Sequence, residues 1–298
     1  MNEFDELINS SSKSEKNNKP FDLEIWKEKK NKERNDAYDL IDKTILDLVK
    51  SEEKLKIYLD VQSRFDKLSV SNALLITAQM PNATQLKDYD DWVALNGNVN
   101  HKASSIKILE PAEYINSEGK TSINYRIKKV FDISQTSFKN KSNREKNYAD
   151  NILWKALLHK SPVAIKSVDN LPNNSQKNVS WNKEDKTMYV AGGLDIPELF
   201  YKVSSEFARI TFANQLESPI NDYKCEYAAY MICNKLGIDV SAFKIEIPEE
   251  LSLMNAQTIK AELTSVRVAL EDTNNRINNF FEELSKISQK KNQERDSL

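Results

Sequence analysis

Leu199-Phe-Tyr-Lys-Val-Ser-Ser-Glu-Phe-Ala-Arg209 is the stretch that decides how the second half of this chain is read. It reads as a helix, and within it Ser205-Glu206-Phe207-Ala208-Arg209 has the register of a His-Glu-x-x-His box. Such a box works because two imidazoles four residues apart share one helix face and clamp a Zn²⁺, while the glutamate activates a bound water. Here a hydroxyl stands first and a guanidinium last. A guanidinium stays protonated at ordinary pH and has no lone pair for a metal. Glu206 is left as a vestige, with Ser205 and Arg209 at the two lost ligand positions. His101 lies far upstream and His159 closes a different helix, so no histidine pair converges on Glu206. Glu206, Asp222 and Glu226 together would be an all-carboxylate set beside a cation, which suits Zn²⁺ poorly. The expectation is no catalysis, no metal and no cofactor. Unpaired buried charge is costly, so Arg209 is expected to pair with Glu206, or with Asp222 or Glu226 of the next helix.

A chain of 298 residues, 39% of them hydrophobic, is long enough for two domains with real cores. Its 43 Lys+Arg against 45 Asp+Glu exclude a globally basic polyanion binder but leave room for a local basic face. With 5 glycines it carries neither a dinucleotide-binding nor a phosphate-cradling Gly-rich loop. Cys225 and Cys233 sit eight apart on one helical segment, about 12 Å along its axis. That is too far for a disulfide, so they read as small core residues of a reduced protein. No apolar run is long enough to span a bilayer and no signal-peptide stretch opens the chain, so a soluble, cytoplasmic protein without membrane contact is expected.

Residues 1–20 are polar and of low complexity and read as a disordered tail. Leu40, Ile41, Ile45, Leu46 and Leu48 mark a first helix, Ser51-Glu-Glu opens a second, and a third runs from Ser71 to Met80. Tyr89–Leu95 makes a helical turn. Ile106-Lys-Ile-Leu109 and Tyr125–Phe131 read as strands joined by the turn Asn116-Ser-Glu-Gly119. The charged, apolar-free stretch within 139–148 is a linker. Beyond it come a helix around Trp154–Leu158, a strand at Val163–Lys166, and a hairpin pairing Val179-Ser-Trp with Met188-Tyr-Val. Gly192-Gly193 breaks the chain before the Glu206 helix. Helices around Tyr223–Leu236 and Ala256–Ile287 follow, then a flexible tail at 289–298. The fold class is α+β: two helix-rich domains, 21–138 and 149–288, each with a small β-sheet, the second ending in a long helix. That helix is amphipathic and packs on the body or on a second copy, giving a homodimer. Asn274, Asn275, Asn278 and Asn279 interrupt a heptad reading.

Ser71-Asn-Ala-Leu-Leu-Ile-Thr-Ala-Gln-Met-Pro-Asn-Ala-Thr84 resembles the signature of the ArdC/LtrC-like single-stranded-DNA-binding domain. Trp92, Val99, Ile106–Pro111 and Val130-Phe-Asp-Ile-Ser-Gln-Thr136 continue it in order, so the resemblance covers roughly residues 22 to 136. In that family the domain is commonly followed by a zincin-like metallopeptidase domain. The strand, hairpin, Gly-Gly and Glu206 helix are similar to it in layout, as is Ala229-Tyr-Met-Ile-Cys233 with Gly237-Ile-Asp. The resemblance implies a plasmid or conjugative-element protein linked to antirestriction or to handling of the transferred strand, with restriction or conjugation proteins as partners. Two departures follow Val99: Lys102 stands for a glycine and Ser104 for a typical lysine.

Single-strand binders join a cationic groove for phosphates to aromatic faces for bases. The candidates are Lys107, Arg126, Lys128 and Lys129 on the strands, with Lys102 and His101 before them. Strand alternation sends Arg126 and Lys128 from one face. A solvated sheet face is the plain alternative for the same residues. Asn72 and Gln79, on one side of the third helix, either bond a base edge or brace a neighbouring segment. Tyr125 and Tyr89 are the stacking candidates, and Trp92 and Phe131 are expected in the core. The first reading is a non-enzymatic single-stranded-DNA-binding protein with an inactive metallopeptidase-like domain. The alternative is an interaction module that targets a host defence enzyme without binding DNA.

Overall fold

A computed structural model describes residues 22–115, 119–138, 148–171, 178–215 and 220–296. The expected tail at 1–20, the linker at 139–147 and Asn116-Ser-Glu118 of the hairpin turn lie outside the described residues. The fold is α+β as expected: among the described residues, nine α-helices accompany two three-stranded sheets.

Helix α1 (Leu23–Leu48) opens at Asp22, whose carboxylate accepts the N–H groups of Glu24 and Ile25. Helix starts leave such donors unsatisfied, so the cap fixes the first turn. The helix buries Ala37, Ile41, Ile45 and Leu48, four- and three-residue steps along one face. Leu46, expected in that stripe, is exposed. Helices α2 (Glu52–Arg64) and α3 (Val70–Gln79) are capped by Ser51 and Ser69. Strand β1 (Leu86–Lys87) was not foreseen, because two residues carry no readable period. Helix α4 (Tyr89–Ala94) buries Trp92, whose Nε1 donates to the Phe131 carbonyl at 2.9 Å. Phe131 itself is only half-buried. Strands β2 (Ile106–Ile115) and β3 (Thr121–Asp132) are longer than their apolar runs and pair antiparallel, in the order β1-β3-β2.

The signature residues prove to be the stitching of this unit. Asn72 donates to the Leu109 carbonyl at 2.9 Å and accepts the Leu109 N–H at 2.8 Å. Gln79 treats Lys107 likewise, donating to its carbonyl and accepting its N–H, both at 2.9 Å. Strand β2 is a sheet edge, and these carboxamides satisfy backbone groups that an edge leaves open. Asp132 accepts the N–H groups of Thr84, Gln85 and Ser134, joining the far end of the α3 segment to the end of β3. Gln135 accepts the Asp132 N–H and donates to the Ser104 carbonyl, closing a capping box.

In the second half, α5 (Asp150–Leu158) leads to β4 (Ala164–Val168), β5 (Val179–Asn182) and β6 (Thr187–Ala191). The hairpin pairs as read, Val179 with Val190 and Trp181 with Met188, while β4 runs parallel to β6. Gly193 takes φ 89°, a left-handed conformation natural to glycine, before α6 (Ile196–Gln215). Helix α7 (Asp222–Leu236) ends on left-handed Gly237. The short α8 (Glu249–Leu253) follows Pro248. Helix α9 (Ala256–Asp296) runs past Ile287, where the apolar pattern stops, since Lys, Gln, Glu and Arg are themselves good helix formers. It packs on the body, against α7, α5 and α1.

One apolar cluster runs through both halves, from Ile41 and Leu59 to Phe207, Tyr227 and Leu263. Polar contacts cross the same junction. Asp60 on α2 accepts from Tyr230 Oη (3.0 Å) and Asn234 Nδ2 (2.7 Å) on α7, Lys235 pairs with Asp66, and Glu52 accepts the Ile245 N–H at 2.8 Å.

Candidate functional site

The register of β2 and β3 sorts the expected cations into two groups. Glu110 lies opposite Arg126, and Ile108 opposite Lys128. Arg126 and Lys128 thus share the Glu110 face, as alternation predicted. Arg126 pairs with Glu110 at 2.8 Å, and Lys128 reaches Asp88 at 3.1 Å and Glu110 at 3.2 Å. Burial works against the charge on Glu110 and on Lys128. The ion pairs outweigh it, holding the carboxyl below and the ammonium above their ordinary ranges. These two cations are already neutralised.

Lys107 and Lys129 lie directly opposite one another on the other face. Neither has a carboxylate within ion-pair distance among the described residues, and neither has Lys102 on the loop before β2. Like charges directly across a ladder are destabilising. Tyr125, 46% exposed, belongs to the same face as Lys129, four residues along β3. Tyr89 is also exposed, on α4. Asn72 and Gln79 are brought to this sheet, but as braces: the Asn72 side chain is buried and both carboxamides are spent on β2 backbone.

Over the Glu110 face opens a cleft of about 1010 Å³, walled by α1, the α2–α3 loop, the sheet and one residue of α9. Its cations include Lys67, Lys87 and Lys260, and its aromatics are Tyr38, Phe65 and Tyr125. Sequence reading missed Lys67, Lys87 and Lys260, since isolated lysines carry no pattern. Tyr125 and Lys128 are the expected residues that line it, along with Asn72.

In the second half, α6 presents Glu206 on its inner side, with a side chain 7% exposed. Glu206 accepts the Trp181 N–H of β5 at 3.1 Å. Arg209 bridges two carboxylates, donating from Nε to Glu206 at 3.2 Å and from Nη2 to Asp222 at 2.6 Å. Burial disfavours its charge, but the Asp222 bond and the Glu206 charge outweigh that and push its pKa up. Glu226 is not paired with it. The pairing expected of Arg209 is therefore met by two partners at once. A Zn²⁺ does not fit this donor set, because a permanent cation already sits between the acidic groups. Among the described residues, no group of three or more His, Cys, Asp or Glu is arranged to hold a metal ion. Cys225 and Cys233 are buried and unpaired, and burial pushes their thiols up to about 11 and about 12. His159 faces Glu283 and Phe280 instead of Glu206. No described helix is long and apolar enough to cross a membrane.

No family model and no curated protein matches this chain. Among solved structures, the metal-free crystal structure of the antirestriction ArdC protein from plasmid R388 is similar at a TM-score of 0.45 and 12% identity, over 70% of this chain and 85% of that one. The Mn(II)-bound structure of the same protein is similar at a TM-score of 0.46 and 12% identity, over the same shares.

Proposed function

We propose that this chain is a cytoplasmic single-stranded-DNA-binding protein of a mobile genetic element, with an antirestriction or conjugative-transfer role. A first domain over 21–138 grips the strand, and a second over 149–288 is an inactive metallopeptidase-like unit. The observation that carries the reading is the uncompensated Lys107–Lys129 pair. Two lysines set opposite each other across a ladder, with no carboxylate partner, favour an anion between them, and a phosphate supplies one. Tyr125, four residues along the same face from Lys129, offers a ring for stacking, and Lys102 extends the charge. Arg126 and Lys128 take part only when their ion pairs with Glu110 and Asp88 open. For the second domain, the support is Arg209 standing between Glu206 and Asp222 in place of a metal ligand.

Fluorescence anisotropy with labelled single- and double-stranded oligonucleotides over a salt series tests the binding. The expected result is preference for the single strand, with affinity falling steeply as salt rises. Lys107→Ser with Lys129→Ser should lower the affinity at least tenfold. Equal, salt-insensitive failure to bind either form ends the proposal. Elemental analysis of the purified protein is expected to find no stoichiometric zinc.

One observation favours the second reading, an interaction module for a host defence enzyme. The distal β2–β3 arm exposes Tyr114, Ile115 and Ile123. Capture of a restriction enzyme in nuclease-treated extract, lost on Ile115→Asp, would support it.

A further inference from the structure

The cleft over the Glu110 face does not stop at the sheet. Lys67 and Asp66 line it and also line a second depression of about 590 Å³ along α9, so the two meet there. We propose that a single strand gripped at Lys107 and Lys129 turns past Tyr125 into this cleft and continues along α9. The binding site then spans both halves of the molecule. The inference rests on the single-strand reading above and extends it.

Charge is the first ground. The cleft is lined by acids as well as bases, but three of its acids are spent. Asp66 holds Lys235, Asp88 holds Lys128, and Glu110 holds Arg126 and Lys128. Lys67, Lys87 and Lys260 have no carboxylate partner among the described residues, leaving Asp91 alone against three ammonium groups. The second ground is stacking surface. Tyr38 and Phe65 line the cleft beside Tyr125, and Tyr148 lies on Phe281 in the second depression, with ring centroids 4.7 Å apart. The third is the asparagine run that broke the heptad. Asn275, Asn278 and Asn279 line the second depression, and their carboxamides have no hydrogen-bond partner among the described residues. Asparagine is a poor helix former, so repeating it within little more than one turn weakens α9 for no gain in packing. A carboxamide offers both donors and an acceptor to an unpaired base edge, which a duplex hides.

The test uses the full chain and oligothymidylates of about 6 and about 15 nucleotides, within the usual range of single-strand sites. The junction variant combines Lys260→Ala, Asn278→Ala and Asn279→Ala, none of which lies in the core. It should bind the short strand like the wild type and the long strand at least tenfold more weakly. Its slope of log affinity against log salt should be shallower by about 0.7 for the lysine removed. Lys260→Glu alone should weaken the long strand in the same sense, which guards against a folding defect in the triple variant. Unchanged binding of both lengths, with loss only in the Lys107/Lys129 variant, overturns the extended path and leaves the sheet site standing. A wild type that binds neither strand overturns both. A duplex that binds as tightly and is weakened equally by the junction variant also overturns the single-strand path.

Discussion

Arg209 joins two carboxylates with very different surroundings: the Glu206 side chain is 7% exposed and that of Asp222 72%. Removing the guanidinium strands a buried charge on one side and frees a solvated one on the other. Arg209→Met should therefore destabilise the protein by about 3 kcal/mol, whereas Asp222→Asn should cost less than about 1 kcal/mol. Adding Glu206→Gln to Arg209→Met should recover most of the loss, since the amide oxygen still accepts the Trp181 N–H and no charge is left behind. Urea unfolding at neutral pH measures all three. Equal midpoints for Arg209→Met and Asp222→Asn would show that the guanidinium compensates nothing buried.

At the scale of elements, β2 is an edge strand closed by side chains of α3. That arrangement ties the helix to the strand: Gln79 and Asn72, seven residues apart, meet Lys107 and Leu109, two apart. Two helical turns and one strand repeat cover comparable lengths only when helix and edge cross in this way. Asn72→Ala leaves a buried N–H and C=O of Leu109 without partners and should cost about 2 kcal/mol. Gln79 is exposed, so Gln79→Ala should cost about 1 kcal/mol. Hydrogen exchange gives an independent check, with the Leu109 amide losing protection in the first variant and the Lys107 amide in the second.

For the molecule as a whole, the junction joins the two halves and brings Lys260 of α9 to the cleft. Asp60 is its polar hub, and burial raises its carboxyl above the ordinary range against the pull of the Tyr230 hydrogen bond. A carboxyl raised by folding stabilises the native state when protonated, and that stabilisation is lost as pH rises through the raised value. Asp60→Asn keeps an acceptor for Tyr230 and Asn234 without the charge. It should melt at or slightly above the wild-type temperature at pH 7, with the difference closing below about pH 4. Asp60→Ala leaves both donors unpaired and should melt lower by about 2–4 °C for each kcal/mol lost. Thermal melts from pH 4 to 8 distinguish the two. An Asp60→Asn variant less stable than wild type at pH 7 would mean that the charge itself holds the halves together.

Local pattern was enough for the longer helices, the Val179–Val190 hairpin and the sheet face shared by Arg126 and Lys128. Each of these follows from periodicity or alternation and needs no partner distant in sequence. Which lysines remain free was settled only when strands paired. Register matched Glu110 to Arg126 and left Lys107 facing Lys129, and no spacing along one strand fixes the register of two. The same holds for Lys67, Lys87 and Lys260, which come from three separate segments, and Lys260 reaches the cleft only because α9 packs against the first half.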